Sequence, residues 1–479
     1  MGSDMAGEGV RTNPRRCVRP TVTHAIKVGA GVGYAGDRIE PAEELASMPD
    51  LDYLVFECIG ERTLALAQQA RTADGDAGYN PRLEERMERL LPPCQDNDVT
   101  IVSNMGAANP EAAAERTVAI ARDLALDVRV VAVLGSDVRD RLDDFEGPTL
   151  EDTEVAGYRD RVVSANAYLG VEGIRDALDG GADVVLTDRV SDVSLFLAPM
   201  IYEFDWSHAP LRRPDAVGQG IVAAHLIECA GQVTGGYFAD PGYKDVPDLA
   251  RLGFPIAEID GRGSLVITKP EGSGGEVTTR TCTEQLLYEV HDPSAYVTPD
   301  AVADFSGVEL DEVGEDRVRV RGATARPRTD SLKVNVCYED SVVGEGRISY
   351  GGPGALERAD LAGSVVRERL DRREIECSEL HVDYVGVDSL HGPLGRERSG
   401  DPYEVRLRVA GRCETDAAAA AIGREVETLY TNGPAGGGGV EWWTEPVVGI
   451  VSLLVDRAPI DHEIEFHNTG RVRDVEATT

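Results

Sequence analysis

Short apolar runs alternate with helix-like stretches from residue 24 to about residue 189. The runs are rich in valine, leucine and isoleucine with few polar interruptions, which favours strands that are buried on both faces. Strand, crossover helix, strand is the order expected for a parallel α/β sheet. The predicted strands are 24–33, 53–58, 99–104, 128–135 and 182–189.

The regular alternation is lost after residue 264. Segments resembling antiparallel strands follow, and 356–455 then has the order helix, strand, strand, helix, strand. The predicted fold class is therefore α/β, a mostly parallel sheet with flanking helices plus a smaller C-terminal α+β domain. The predicted divisions are a flexible N-terminal arm at 1–22, an α/β core domain with a ligand crevice at 23–355, the α+β domain at 356–460 and a C-terminal tail at 461–479.

In open α/β sheets, ligands bind beyond the carboxyl ends of the strands. The segments that follow the predicted strands are mostly polar, charged or glycine-rich, and we expect them to form one crevice. These segments are 29–37, 57–62, 104–109, 135–137 and 188–192.

Charge is the second large feature of the chain. Its 479 residues include 85 acidic and 48 basic ones, for a formal net charge of −37. A nucleic-acid-binding protein would need a basic patch, and the sequence has none. The acidic excess is spread along the chain and predicts adaptation to high salt, where screening removes self-repulsion. An acidic surface that recruits a basic partner is the alternative.

Lysine and cysteine usage narrow the picture further. The lysines are Lys27, Lys244, Lys269 and Lys333, and such scarcity suggests that those beside glycines or turns are retained for function. Chance survival in an arginine-favouring coding sequence is the alternative.

Eight single cysteines without a CxxC pair predict free thiols. No transmembrane or signal segment is recognised, so we expect a cytoplasmic protein without a membrane partner.

The segment QGIVAAHLIECAGQVTGGYFADPGYKDVPD (219–248) carries the densest candidate chemistry. Helical spacing places His225, Glu228 and Cys229 within one turn, and a loop holding Lys244 follows. Metal ligation, acid–base or nucleophilic work, and plain packing are three interpretations. Acid–base work is favoured, with Lys244, His225 and Glu228 as the catalytic groups. No metal ligand set is predicted, and no cofactor is identified.

Substrate-binding candidates come from four further segments. KVGAGVGYAGDR (27–38) contributes Lys27 and Asp37, but its glycines break the dinucleotide-binding spacing, so a tight turn is the alternative. SNMGAANP contributes Asn104, Gly106 and Asn109, where Asn109 and Pro110 also suit a helix start. TDRVSD contributes Asp188, Arg189 and Asp192, and the alternative is that these residues form an ion pair within a loop. TKPEGSGG contributes Lys269, and the alternative is that this segment is only a glycine-rich hairpin connection. The candidates are thus Lys27, Asp37, Asn104, Gly106, Asn109, Asp188, Arg189, Asp192 and Lys269.

Long motifs in the chain resemble the acyclic terpene utilisation family, AtuA. They include SNMGAANPEAAA, DRVSDVSLFLAPMIYEF, KPEGSGGEV and HLIECAGQVTGGYFADPGYKDVPDLARLGFPIAEI. The similarity runs from about residue 24 to about residue 455. It implies a place in acyclic terpenoid and branched-chain acyl-CoA degradation, alongside biotin-dependent acyl-CoA carboxylases. Many relatives carry a C-terminal ferredoxin-like domain whose motif is not found here, so we expect that domain to be absent or separately encoded.

These observations favour an enzyme that acts on a small carboxylic acid or an acyl-CoA thioester by hydratase- or lyase-type proton transfer. In that hypothesis Asn104, Gly106 and Arg189 orient the carboxylate or thioester oxygen. A non-catalytic subunit or scaffold of an acyl-CoA carboxylase assembly is the alternative, and a ligand-sensing protein is the third. A homo-oligomer is expected. An enzyme should have a deep polar pocket at the strand ends, whereas a scaffold should expose a large apolar patch.

Overall fold

The structure is a computed structural model that describes residues 24–145 and 149–469. The predicted N-terminal arm, 1–22, lies outside these residues. The chain divides into two compact units. The first contains the described residues up to Gly157, Val163–Val336 and those from Val451 onward, and the second contains Tyr158–Val162 and Cys337–Ile450.

Strands and helices follow one another along most of the described chain. The strands are β1 (Ala25–Val32), β2 (Tyr53–Phe56), β3 (Thr100–Ser103), β4 (Arg129–Leu134), β5 (Val162–Ala167), β6 (Val184–Thr187), β7 (Ile256–Asp260), β8 (Leu265–Thr268), β9 (Tyr296–Val297), β10 (Ala301–Asp304), β11 (Glu309–Gly314), β12 (Arg317–Arg321), β13 (Thr324–Pro327), β14 (Ser331–Gly351), β15 (Glu379–Val385), β16 (Glu404–Cys413), β17 (Gly438–Asp456) and β18 (Glu463–Asn468). The α-helices are α1 (Glu40–Ala46), α2 (Glu61–Ala73), α3 (Leu83–Asn97), α4 (Pro110–Asp123), α5 (Glu172–Asp179), α6 (Asp192–Phe204), α7 (Pro214–Ile227), α8 (Thr279–Leu287), α9 (Ala355–Arg372), α10 (Pro393–Arg398), α11 (Asp416–Glu427) and α12 (Leu429–Asn432). Short 3-10 helices lie at Arg139–Asp144, Val155–Gly157, Arg159–Arg161, Ala230–Gln232 and Leu249–Arg251.

The first unit is built on a ten-stranded sheet of order β11-β12-β8-β7-β1-β2-β3-β6-β4-β18. The five strands predicted from the apolar runs form its centre, and they pair in parallel from β1 through β4. Every residue of β2, β3 and β6 is buried, as their unbroken apolar character predicts. These runs therefore gave the correct central strands.

The prediction of a mostly parallel sheet is wrong, because the sheet is mixed. Strands β7, β8, β12 and β11 extend one side and β18 the other, all through antiparallel pairs. Tight turns join β7 to β8 and β11 to β12, and antiparallel neighbours need no crossover helix. The strand β18 lies within the segment predicted as a C-terminal tail, and it covers the edge of β4.

Helices pack on the parallel strands in two groups. Helices α1, α3 and α4 contact one another in sequence, and so do α5, α6 and α7. Chain order within the sheet reverses at β4, from which the chain passes through α5 back to β6. Such a reversal is where doubly wound sheets place ligands. The carboxyl ends of β2, β3, β6 and β4 are thus the region to inspect.

The second unit contains pairs among β14, β16 and β15. Strand β16 pairs antiparallel with β15 and with the Val342–Gly351 part of β14. Helices α9 and α11 pack on β16, and the core between them includes Val366, Leu407 and Ile422. The longer elements α9, β15, β16, α11 and β17 follow the predicted helix and strand order, and the short helices α10 and α12 lie between them in addition. The domain boundaries of 356–460 stay a prediction.

Two further properties follow from the described residues. No helix among them combines the length and apolar character that a membrane span needs. Six cysteines of the described ranges are free thiols, namely Cys58, Cys94, Cys229, Cys282, Cys377 and Cys413, and Cys17 lies outside those ranges.

We predict that Gly344→Ala destabilises the second unit. A methyl group at Gly344 would overlap the carbonyl oxygen of Ala419 on α11, and overpacking of this kind costs about 1–3 kcal/mol. The matched control is Gly438→Ala, where an added methyl meets no atom within 4 Å. Thermal unfolding of both variants should show a lower midpoint for Gly344→Ala alone. Equal midpoints would contradict the packing described here.

Candidate active site

Polar side chains from the ends of β2 and β3 contact each other. Asn104 follows β3, and its Nδ2 donates to Glu57 Oε1 at 3.0 Å. The Asn104 Oδ1 accepts from the backbone N–H of Cys58 at 2.7 Å. Asn104 is fully buried, so both ends of its amide are used to hold the segment after β2. The predicted convergence of strand-end loops is seen at this pair.

Arg189 brings the end of β6 to the same place. It is 3% exposed, and its Nη1 donates to Asp192 Oδ1 at 2.6 Å and to the carbonyl of Ile59 at 3.1 Å. Its guanidinium carbon lies 4.1 Å from the centre of the Tyr168 ring. Burial alone would lower the pKa of Arg189, but Asp192, Tyr168 and Glu57 together raise it. The guanidinium therefore stays charged.

Glu57 is the most perturbed carboxyl group of this cluster. Burial and the negative charge of Asp192 raise its pKa to about 8, against the opposing effects of Arg189 and Asn104. Its Oε1 also accepts from the backbone N–H of Ile59 at 2.9 Å. Much of the Glu57 population is therefore protonated at neutral pH, and a carboxyl group that titrates there can give or take a proton.

Asp188 titrates in the same range but is held by backbone. Burial raises its pKa to about 7, although the N–H of Ser136 stabilises the charged form. That N–H donates to Asp188 Oδ2 at 2.8 Å, while Oδ1 is buried without a hydrogen-bond partner among the described residues. Asp188 therefore ties the end of β6 to the loop after β4.

His225 and Glu228 form a hydrogen-bonded pair, as their spacing predicts. His225 Nδ1 lies 3.1 Å from Glu228 Oε1, and the imidazole packs against the rings of Tyr296 and Phe305. Burial raises the pKa of Glu228, and Asp192 adds to the effect while His225 opposes it. Across the described chain, His225 Nε2 and Glu228 Oε2 are buried with no hydrogen-bond partner. The hydrogen-bonding capacity of both atoms is thus left unused by the described residues.

Cys229 does not have the environment of a nucleophile. Burial and the neighbouring Glu228 raise the pKa of its thiol to about 12, whereas a reactive cysteine needs a depressed pKa. Its carbonyl oxygen would lie 2.6 Å from a methyl group at Gly33. Cys229 thus packs the end of α7 against the glycine turn after β1.

The structure adds residues that the sequence did not single out. The Tyr168 hydroxyl hydrogen-bonds to Glu61, and Asn335 Nδ2 donates to both, at 2.8 Å to Glu61 Oε1 and 2.9 Å to the hydroxyl. Glu57 and Glu61 lie in the strand-end segment 57–62, so that rule could have found them. Tyr168 follows β5, which the pattern did not predict, and it had no comparable signal.

Two of the predicted lysines lie away from these contacts. Lys244 pairs with Glu284 at 2.5 Å and lies over the ring of Phe238, so no contact joins it to His225 or Glu228. Lys27 pairs with Asp50 and lies 3.5 Å from Glu258. It is near the start of β1, at the opposite end of the strand from the glycine turn. Their loop and turn positions in the sequence did not indicate these acidic neighbours.

The ammonium group of Lys269 already has partners within the protein. Its buried Nζ donates to the carbonyl of Ser273 at 2.8 Å and pairs with Asp316 at 3.0 Å. The adjacent cavity of about 410 Å³ also contains Glu276, Glu312 and Glu315, which would repel an anion. The glycine-rich loop therefore encloses a charge that is already neutralised.

Three other candidates hold the backbone. Asp37 Oδ2 accepts from the N–H of Gly33 at 2.9 Å and closes the turn after β1. A methyl group at Gly106 would lie 2.6 Å from the carbonyl oxygen of Thr187, so this position requires glycine. Asn109 caps α4 by accepting from the N–H of Ala112, and it donates to the carbonyls of Gly75 and Ala77. The predicted helix start at Asn109 and Pro110 is confirmed.

A separate group offers donor atoms suited to a metal ion. Ligand atoms of Glu172, His208 and Asp300 lie within 4.8 Å of one another in the described part of the chain. Several of these atoms already have protein partners, since Glu172 accepts from Arg328 and Asp300 accepts from Ser194 at 2.5 Å. The sequence had not indicated this group.

The profile of the acyclic terpene utilisation family protein AtuA matches residues 26–466. The chain belongs to the AtuA family. Comparison with curated proteins and with solved structures gives no match. The AtuA match covers all the side chains of the candidate site and links the chain to acyclic terpene utilisation.

We predict that Asn109→Ala lowers the free energy of unfolding by about 1–3 kcal/mol, because it removes a helix cap and the donors to two carbonyls. The control is Thr278→Ala, which removes only the cap of α8 and should cost less. Chemical denaturation of both variants measures the difference. If Asn109→Ala unfolds like the unaltered protein, the structural role assigned to Asn109 is wrong.

We predict that the free energy of unfolding of Glu57→Gln rises relative to that of the unaltered protein as the pH increases from about 5 to 9. The folded state holds a proton on Glu57 up to a pKa of about 8, against an ordinary value of 4.5. Within that window the folded state binds more protons than the unfolded state, so raising the pH destabilises it. Glutamine cannot ionise, so the variant does not lose stability in this way as the pH rises.

Thermal unfolding of Glu57→Gln across that pH range tests the prediction. The control is Glu44→Gln, which removes an exposed carboxylate from α1. A midpoint difference for Glu57→Gln that stays constant from pH 5 to 9 would refute the raised pKa.

Proposed function

We propose that the chain is an enzyme that acts by acid–base chemistry on a small carboxylic acid or an acyl-CoA thioester. The observation that carries the proposal is that two proton-handling groups interact electrostatically with one ion pair, Arg189–Asp192. Glu57 interacts with both members of the pair, and Glu228, which is hydrogen-bonded to His225, interacts with Asp192. Perturbed carboxyl groups beside a fixed positive charge are typical of catalytic sites.

The proposed roles follow from the contacts. The His225–Glu228 pair removes or returns a proton, because each residue has one buried polar atom without a partner in the described ranges. Glu57 serves as the second acid, since its pKa of about 8 keeps a proton available at neutral pH. Arg189 offers a charge near which negative charge can develop on a carbonyl oxygen. Asp192, whose side chain is 42% exposed, connects these groups to the surface.

The substrate class draws on the family. Acyclic terpene utilisation, the activity in the family's description, ends in branched carboxylic acids and their thioesters according to the resemblance stated above. Proton transfer next to a carbonyl is the step that hydratases and lyases of such acids require. We therefore place the chain among enzymes of acyclic terpenoid or branched-chain acyl-CoA catabolism.

We predict that His225→Gln and Glu228→Gln each lower turnover by about 10²–10⁴-fold, the usual contribution of a general acid or base. The assay follows deuterium incorporation from solvent into a panel of straight and branched acyl-CoAs and the free acids by NMR. It is run in high salt because the net charge of −37 produces strong self-repulsion when salt is low. The matched control is His381→Gln, at a histidine whose side chain is 65% exposed.

Three outcomes would redirect the proposal. Equal losses from Lys244→Ala and His225→Gln would support the trio predicted from the sequence, whereas a loss from His225→Gln alone supports the pair with Glu57. No exchange with any member of the panel, together with co-purification of acyl-CoA carboxylase subunits, would favour a non-catalytic subunit. Thermal stabilisation by one ligand without exchange would favour a ligand-sensing protein.

A further inference from the structure

A cavity of about 340 Å³ lies beside the ends of β4 and β6. Its lining includes Leu169 and Val190, which follow Tyr168 and Arg189 in the chain and bridge to each other. The cavity also contains the side chains of Arg328 and Arg457. None of the residues with a proposed acid–base role lines it. We call it the arginine pocket.

The two arginines differ in how their charges are balanced. Arg328 pairs with Glu172. Arg457 donates from Nη2 to the carbonyl of Pro299 at 2.6 Å and from Nε to that of Thr329 at 3.3 Å. In the described ranges no carboxylate pairs with Arg457, and its Nη1 has no hydrogen-bond partner. A guanidinium inside a cavity with free N–H groups is suited to bind an anion.

Glu172 cannot balance both charges. It accepts from Arg328 and lies 3.3 Å from His208 Nε2, and one carboxylate supplies a single negative charge. The pKa of Arg457 is lowered by burial and by the positive charge of Arg328. Of the other polar groups lining the pocket, His462 is bonded to Asp176 at 3.0 Å, and the Asp461 side chain is 94% exposed. Asp300 and Asp330 also interact electrostatically with Arg457, but neither forms an ion pair with it in the described ranges, so its guanidinium remains open to an anion.

The remaining walls are apolar. Val133, Leu169, Val190 and Leu332 line the cavity and are buried. The volume is near the lower end of the range for small-molecule sites, about 300–1,000 Å³. A suitable ligand therefore has one negative charge and a short hydrocarbon chain. The several phosphates of coenzyme A would need more cations than this pocket provides.

We propose that the arginine pocket binds a short-chain aliphatic monocarboxylate, with the carboxylate on Arg457 and the chain against the apolar wall. The proposal does not rest on the acid–base function, because the pocket and the catalytic cluster use different side chains. The pocket could serve a free acid as substrate, product or effector, and the binding test is the same for each.

The test is isothermal titration of the full chain with 3-methylbutanoate and with its neutral isostere, 3-methylbutanamide. Both are measured at one fixed chloride concentration, because chloride also competes for a guanidinium. The acid should bind at least tenfold more tightly than the amide, since the amide lacks the charge that Arg457 recognises. Arg457→Gln should weaken binding of the acid at least tenfold, and Arg457→Lys should weaken it less.

The control variant is Arg251→Gln, at an arginine whose side chain is 69% exposed, and it should bind the acid as the unaltered chain does. The comparison of acid with amide needs no variant, so it decides the matter even if Arg457→Gln fails to fold. Equal binding of acid and amide, undetectable binding of the acid, or unchanged binding by a folded Arg457→Gln would each overturn the proposal.

Discussion

The buried guanidinium of Arg189 lies between the acidic side chains that the ends of the parallel strands bring together. It pairs with Asp192, donates to the carbonyl of Ile59 in the segment after β2, and covers the ring of Tyr168. A carboxylate enclosed by protein is costly unless a cation or hydrogen bonds compensate it. Glu57 and Asp192 can share this region because Arg189 is there. The contacts of the Arg189 guanidinium therefore help to fix the relative positions of the segments after β2, β5 and β6.

This arrangement also explains why proton-handling groups collect here. A cation in a region of low polarity lowers the energy of nearby carboxylates, but burial raises it, and small differences in position decide which effect dominates. For Glu57 burial dominates and the pKa rises, whereas Arg189 itself stays charged. The same backbone thus supports one permanent charge and at least one group that titrates near neutrality.

Sequence patterns identified what depends on local burial and missed what depends on distant partners. The apolar runs gave β1, β2, β3, β4 and β6, and the strand-end rule led to Asn104 and Arg189. An apolar run does not indicate whether the adjacent strand is parallel or antiparallel, so the antiparallel pairs on both sides of the sheet were not predicted. The scarcity of lysine did not indicate the partners of these side chains, because Lys27 and Lys269 each pair with an acidic residue far away in sequence. Tyr168 was missed since its role is created by contacts with Glu61 and Asn335.

The pairing of β18 with β4 has a consequence for how the chain is made. Arg122, on the helix that precedes β4, donates to the carbonyl of Thr469, which is 347 positions later. During synthesis β4 therefore emerges long before the strand that will cover it, and its backbone groups remain open to other strands in the meantime. Contacts of such large sequence separation also slow folding.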